Sequence, residues 1–372
     1  MNGEDILTAS LAKTQPEIAA QLEETIASGA FPNAVLFSGN SFSGRMYAAR
    51  AVCMRLGIPD ENVVIISDRN HAYRIRTALE LYRKHRNTSS RNFLKESISI
   101  LLQQYHGAML DGQSTTAGKK KFSDAAEVSD MLRDLDTTEE SGAGSMADKL
   151  EKALSPLMDS NRTSSVTIGQ VRAIRDWCST SSMDGVGKFV IIEGLENAGD
   201  SAINGLLKTL EEPPAGSHFI LISSNAGRIP ATILSRVRKF RFNDETPEIR
   251  KYILNSLFVD PSKYNSLEEF FLEGSGINDR LLADNARALL MKEPLDMAAL
   301  VGELEKNQGW DRFFMHVEDN IRQAFLDGRL DQRRTEYLIH AVNDAVLKGR
   351  TFNQTKRLTF DFVVFRVQEV NR

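Results

Sequence analysis

Four short runs, Ala34-Val-Leu-Phe37, Val63-Val-Ile-Ile66, Phe189-Val-Ile-Ile192 and Phe219-Ile-Leu-Ile222, are apolar at every successive position. A strand with one face in water alternates polar and apolar residues, whereas one that is apolar throughout is covered on both faces. The runs therefore predict a parallel sheet with helices on both sides. Two intervening helices are legible in detail. Thr167 and Gln170 have capping-box spacing, and Ile168, Val171, Ile174 and Cys178 then share one face. Ile203, Leu206, Leu207 and Leu210 form a second stripe, with Asp200 as the expected N-cap and Pro213-Pro214 as the stop. Gly205 inside that helix costs about 1 kcal/mol relative to alanine, which points to close packing against a neighbour.

The 372 residues exceed one compact core and imply about two or three domains. Residues 1–242 read as an α/β domain, interrupted at about 67–165 by a helical insertion far longer than a simple crossover needs. The loops expected in that insertion are Gly112–Lys121 and Thr137–Ser145. Beyond Phe242 helical patterns dominate, punctuated by Gly274-Ser-Gly276, Gly328 and Gly349. They divide into a small helical domain, 243–295, and a C-terminal helical domain, 296–372. Leu358–Phe365 fits helix and strand equally.

Met1-Asn-Gly-Glu-Asp-Ile6 lacks the basic start and apolar core of a leader, and no segment reaches the ~20 apolar residues of a membrane span, so a cytoplasmic chain is expected. Cys53 and Cys178 lie far apart within amphipathic stretches, and the six histidines show no ligand spacing; neither a disulfide nor a metal site is expected. A net charge of −4 gives no overall attraction to nucleic acid. DNA contact would need a local cluster, of which the densest are Lys119–Lys121 and Arg236–Arg241.

The first run leads into Gly39-Asn-Ser-Phe-Ser-Gly44-Arg45-Met46. A phosphate loop has the form G-x-x-x-x-G-K-[ST], in which backbone N–H groups cradle phosphate, lysine neutralises charge and a hydroxyl holds magnesium. Here the glycines are correctly spaced, but Arg45 is forked where a point charge is needed, and the Met46 thioether is a poor ligand for a hard cation. At the end of the third run, Glu193 stands where an acid orients the metal. Gly194 has no side chain to activate water, and Glu196 lies two residues on. Arg236 follows a strand, a turn and a short helical segment, which predicts a place at the domain rim.

Together these residues resemble the clamp-loader subunits of bacterial DNA polymerase III, the gamma/tau and delta-prime group of AAA+ proteins. The likeness is most specific in Leu206-Leu-Lys-Thr-Leu-Glu-Glu-Pro-Pro214, and extends to Phe31–Gly39, Phe219–Ser224 and Ile229–Val237; Gly274–Asp279 is faintly similar to a lid-domain motif. It implies an α/β AAA+ domain followed by all-α lid and collar domains, the collar being used for ring assembly. The departures at Arg45, Met46 and Gly194, with no four-cysteine zinc module, resemble the non-hydrolysing delta-prime branch. By that resemblance Ser235-Arg236 forms an arginine finger acting in trans, with Val237 in place of the family's cysteine. Gly39, Gly44, Arg45 and Glu193 are relics of a nucleotide site. No cofactor is expected, ATP being held by neighbouring subunits; the implied partners are gamma/tau, delta, the sliding clamp and primer-template DNA. Two alternatives stay open: an active gamma/tau-like ATPase using Arg45 with Glu193 or Glu196, and a repair or adaptor protein on the same scaffold.

Overall fold

The computed structural model describes residues 10–29, 31–67, 71–110, 116–158, 166–180, 187–274, 278–307, 309–351 and 356–370. The four apolar runs become β1 (Ala34–Ser38), β2 (Val63–Ser67), β3 (Lys188–Glu193) and β4 (Ser217–Ser223). They belong to one parallel sheet in the order β2-β3-β4-β1-β5. Alternation within each strand sends side chains into two separate cores. Leu36, Val64, Ile66, Val190, Ile192, Phe219 and Leu221 enter one; Val35, Phe37, Val63, Ile65, Phe189, Ile191, Ile220 and Ile222 enter the other. Burying such side chains is worth about 1.5–3 kcal/mol each, which is why every position is apolar.

The fifth strand, β5 (Arg238–Arg241), is a correction to the sequence reading, which treated this tract only as a basic cluster. It pairs with β1 in parallel register, Phe37 opposite Phe240, and Phe240 alone is buried.

The second core lies under α1 (Pro16–Ala27) and α2 (Arg45–Arg55), through Ile18, Leu22, Ala48, Ala49, Val52 and Cys53. Among the described residues the insertion contains four α-helices: α3 (Ala72–His85), α4 (Thr88–Leu102), α5 (Thr116–Asp134) and α6 (Ala143–Met158). They enclose a core of their own around Leu79, Tyr82, Leu94, Ile98, Val128, Leu150 and Leu154. Buried Arg50 ties α2 to this insertion, its Nε 3.2 Å from Glu96 and its Nη2 3.0 Å from Asp60. Burial works against its charge, and the two carboxylates outweigh that, so its pKa is raised. The expected loop at Gly112–Lys121 is corrected in part: Thr116 starts α5, so Lys119–Lys121 are helical, while residues 111–115 lie outside the described residues. Thr137–Ser145 is a turn only as far as Gly142, where α6 takes over at Ala143.

The first core is covered by α7 (Ile168–Cys178) and α8 (Asp200–Glu211). The capping box of α7 forms as expected, Gln170 N donating to Thr167 Oγ1 at 3.2 Å and Thr167 N to Gln170 Oε1 at 2.9 Å. For α8 the expectation was one residue late. Gly199 is the N-cap, and Asp200 lies in the first turn, where its charge complements the helix dipole. A Cβ on Gly205 would come within 2.7 Å of Ile168 Cδ1 and 3.3 Å of Val171 Cγ1, the close approach its presence suggested.

After the short helix α9 (Ala231–Leu234) and β5 come α10 (Pro247–Ser256) and α11 (Leu267–Gly274). Leu254, Leu267, Phe270 and Phe271 pack with Leu81 of α3. The chain divides into two compact units, Met1–Phe271 and Leu272–Arg372. The second contains α12 (Asp279–Met291), α13 (Met297–Asn307), α14 (Trp310–Leu326), α15 (Gln332–Thr351) and α16 (Lys356–Val370). Its core includes Leu282, Leu289, Phe313, Val317, Ile321, Leu338 and Val342. The ambiguous Leu358–Phe365 is helical and buries Phe360, Val363 and Val367. Gly328 ends α14 with a left-handed φ of 71°, but α15 runs through Gly349. Residues 275–277 of the lid-like motif, and Met1–Ile6, lie outside the described residues.

Asp279 opens α12 and accepts from Arg312 Nε and His316 Nε2, both at 2.7 Å. Burial pushes its pKa up, but the bonds from His316 and Arg312 prevail and hold the carboxyl well below the usual range. Cys53 and Cys178 are buried free thiols, each pushed up to about 12 by burial. Among the described residues there is no metal-binding cluster, and no helix is long and apolar enough to cross a membrane.

Candidate functional site

The carboxyl ends of β3, β4 and β1 lie side by side, the place where parallel α/β sheets bind ligands. Here the loop from Gly39 to Gly44 leaves β1 and enters α2. A Cβ on Gly39 would sit 3.0 Å from Phe242 Cβ and carbonyl oxygen and 3.1 Å from Ser43 Oγ. Gly44 is left-handed, φ 87°, and caps α2. Both glycines are thus required by the turn itself.

The loop is stitched to the chain following β5. Buried Gln15 donates from Nε2 to Ser43 O at 3.1 Å and Asn243 O at 2.9 Å, and accepts from Asn243 N at 3.0 Å. Asn40 Nδ2 donates to Asp244 Oδ1 at 2.8 Å. Phe42, at the loop's apex, adopts φ 62°, an uncommon conformation for a bulky residue. Its ring stacks on Phe271 of α11, with centroids 5.7 Å apart and planes at 13°, and meets Tyr73 of α3 edge-on at 5.8 Å. Arg45 is 5% exposed, and Met46 belongs to the apolar core with Val35 and Phe37. Methionine at the hydroxyl position therefore has a packing role.

Glu193, at the end of β3, is buried. Its Oε2 accepts from Ser67 Oγ at 2.7 Å, and His71 Nε2 lies 2.9 Å away. His71 reaches it from the left-handed turn preceding α3, φ 52°. Gly194 is left-handed as well, φ 81°, and its N–H bonds Ile222 O at 3.1 Å. The chain turns out of β3 at the point where a second acid would stand, and glycine suits that backbone. Glu196 Oε1 accepts from Ser224 N at 2.9 Å and Ser224 Oγ at 2.6 Å. That carboxylate is directed to the end of β4.

Arg236 follows α9 and is exposed. Its Nη1 donates to Thr232 O at 2.7 Å and Ser235 Oγ at 3.1 Å, and its Nη2 to Glu211 Oε1 at 2.5 Å. Val237, the next residue, joins the first core, which accounts for an apolar side chain there. Arg238, Lys239 and Arg241 are exposed on β5, and Lys119–Lys121 occupy the start of α5. A groove of about 270 Å³ over Gly205, between α7 and α8, adds Arg172, Arg175 and Lys208. The sequence-predicted residues thus fall into two groups: Gly39, Gly44, Arg45 and Glu193 at the sheet's carboxyl end, and Ser235 with Arg236 after α9. Sequence reasoning missed Gln15, Phe42, His71 and Glu211. Of these only Phe42 and Glu211 carried a signal, through their places in Gly39–Met46 and Leu206–Pro214.

A five-stranded parallel sheet in this order, with a glycine-bounded turn after β1 and an acid closing β3, defines an α/β module of the AAA+ kind followed by helical domains. A family model described as DNA polymerase III, delta subunit, matches residues 94–246. The tau subunit of DNA polymerase III from Bacillus subtilis (strain 168) is 33% identical over 96 residues, covering 26% of this chain and 17% of that protein. The delta' subunit from Haemophilus influenzae is 32% identical over 84 residues, covering 23% of this chain and 26% of that protein. Over part of its length the chain is thus similar to tau, gamma and delta' subunits of DNA polymerase III. It spans only about a quarter or less of the length of these two relatives. A solved structure of a DNA polymerase III gamma subunit-related protein from Thermotoga maritima aligns with a TM-score of 0.30 at 20% identity, over 56% of this chain and 81% of that one.

Proposed function

We propose that this chain is a stator subunit of the delta-prime kind: it does not hydrolyse ATP itself and lends Arg236 in trans to an ATPase neighbour within a clamp loader. The observation that carries this reading is a contrast in how the charged groups are used. Glu193 is buried and engaged by Ser67 and His71, while Arg236 is exposed, its guanidinium held at the surface by Thr232, Ser235 and Glu211.

A magnesium nucleotide does not fit the residues after β1. Met46 offers the ion no oxygen and is committed to the core, Phe42 is stacked on Phe271, and Gly194 has no group to activate water. No nucleotide step is therefore assigned to this chain's own loop. A guanidinium held at the edge of one subunit can instead stabilise the charge that develops on a phosphoryl group in the next, worth about 10³ to 10⁵ in rate. The partners in this reading are gamma/tau and delta subunits, the sliding clamp and, through the assembled complex, primer-template DNA.

The test is ATP turnover, stimulated by clamp and primed DNA, in a complex reconstituted from this chain and its cognate ATPase subunits. Arg236→Ala should lower kcat by about 10³-fold with ring assembly unchanged by size-exclusion chromatography, and the chain alone should show no turnover. Unchanged turnover would remove the finger. Hydrolysis by the isolated chain would instead favour an active ATPase with unusual motifs.

A further inference from the structure

Glu211 is the last residue of α8, where its carboxylate faces the negative end of the helix dipole. Helix electrostatics gives no reason for an acid there. Its ion pair with Arg236 does. The guanidinium is gripped at both terminal nitrogens by groups from two elements, Nη2 by Glu211 of α8 and Nη1 by Thr232 O and Ser235 Oγ of the α9 segment. Because the guanidinium is planar and rigid, bonds to both terminal nitrogens fix the plane as well as the position.

We propose that Glu211 is a positioning residue for Arg236, holding the guanidinium in one orientation at the rim before a neighbouring subunit presents its nucleotide. This inference rests on the finger reading of Arg236. An unrestrained arginine samples many rotamers and must be ordered during the reaction, whereas one already held in place meets the phosphoryl group without that reorganisation. The pair remains accessible, with side-chain exposures of 34% for Arg236 and 47% for Glu211. Exposed ion pairs of this kind are weak. The carboxylate therefore guides the guanidinium yet yields it when phosphate oxygens compete.

The experiment uses the full chain in the same reconstituted complex, with ATP, clamp and primed DNA, comparing Glu211→Ala, Glu211→Gln, Arg236→Ala and the double variant Glu211→Ala/Arg236→Ala. Removing the carboxylate should lower kcat about 2- to 5-fold, with KM for ATP held within about twofold and assembly and melting temperature unchanged. Glutamine keeps an oxygen acceptor for Nη2 and should restore most of the rate. In the Arg236→Ala background, Glu211→Ala should have no further effect. If Arg236→Ala cripples turnover while Glu211→Ala leaves it intact or raises it, the positioning role fails and the finger stands. If Glu211→Ala costs as much without Arg236 as with it, the residue acts through general structure and the inference is overturned. If Arg236→Ala itself changes nothing, the finger falls and this inference with it.

Discussion

Phe42 provides a test in which conformation and contact oppose each other. Its ring makes a stacked contact with Phe271 and an edge-on contact with Tyr73, each worth about 0.5–1.5 kcal/mol. Losing both should cost roughly 2 kcal/mol. Its backbone is left-handed, φ 62°, which alanine tolerates no better than phenylalanine but glycine adopts freely, a difference of about 1 kcal/mol. Phe42→Ala should therefore destabilise the first unit by about 2 kcal/mol and Phe42→Gly by about 1 kcal/mol, so the smaller residue is the milder change. Urea unfolding followed through Trp177 in a Trp310→Phe background reads the first unit alone, since Trp310 lies in the second. Hydrogen exchange at the α11 amides should accelerate in the same order. If alanine is tolerated as well as glycine, or both variants cost less than about 0.5 kcal/mol, then neither the strain nor the stacking holds the loop as argued.

Gly194→Ala places a side chain on a left-handed residue, φ 81°, and should cost about 1–2 kcal/mol by urea unfolding; a neutral result would leave the turn as no explanation for the missing acid. Asp279→Asn probes the second unit. Because the folded carboxyl titrates below its ordinary value of 3.8, its stabilisation is present above that value and is lost as pH falls from there toward the depressed folded pKa. Wild type should thus exceed the variant in melting temperature above about pH 4, and the gap should close in more acidic solution.

Four strands were legible in the sequence because burial on both faces leaves no polar position to disguise them. β5 was not, since a strand at the sheet's end buries Phe240 alone and exposes Arg238, Lys239 and Arg241, so charge drowns the apolar signal. The Thr167 capping box could be read because side chains form it; the cap of α8 could not, because Gly199 contributes only backbone. In the candidate site, Met46 and Gly194 stood out as departures from a pattern, but their physical reasons did not. Those depend on contacts distant in sequence: Glu193 meets His71 from 122 positions away, and Gln15 bonds Asn243 from 228. Spacing along a chain carries no trace of such meetings. Glu211 and Arg236, 25 positions apart, were both in view, but only the fold pairs them.

The outer edge of β5 has a consequence for how copies of the chain meet. Among the described residues no strand pairs with that edge, so its backbone donors and acceptors are a template on which a second copy could add. Arg238, Lys239 and Arg241 are exposed on that strand, and an approaching copy would set its own cations against them. The tract first read as a possible grip on DNA is thus placed to oppose pairing of two copies through this sheet edge.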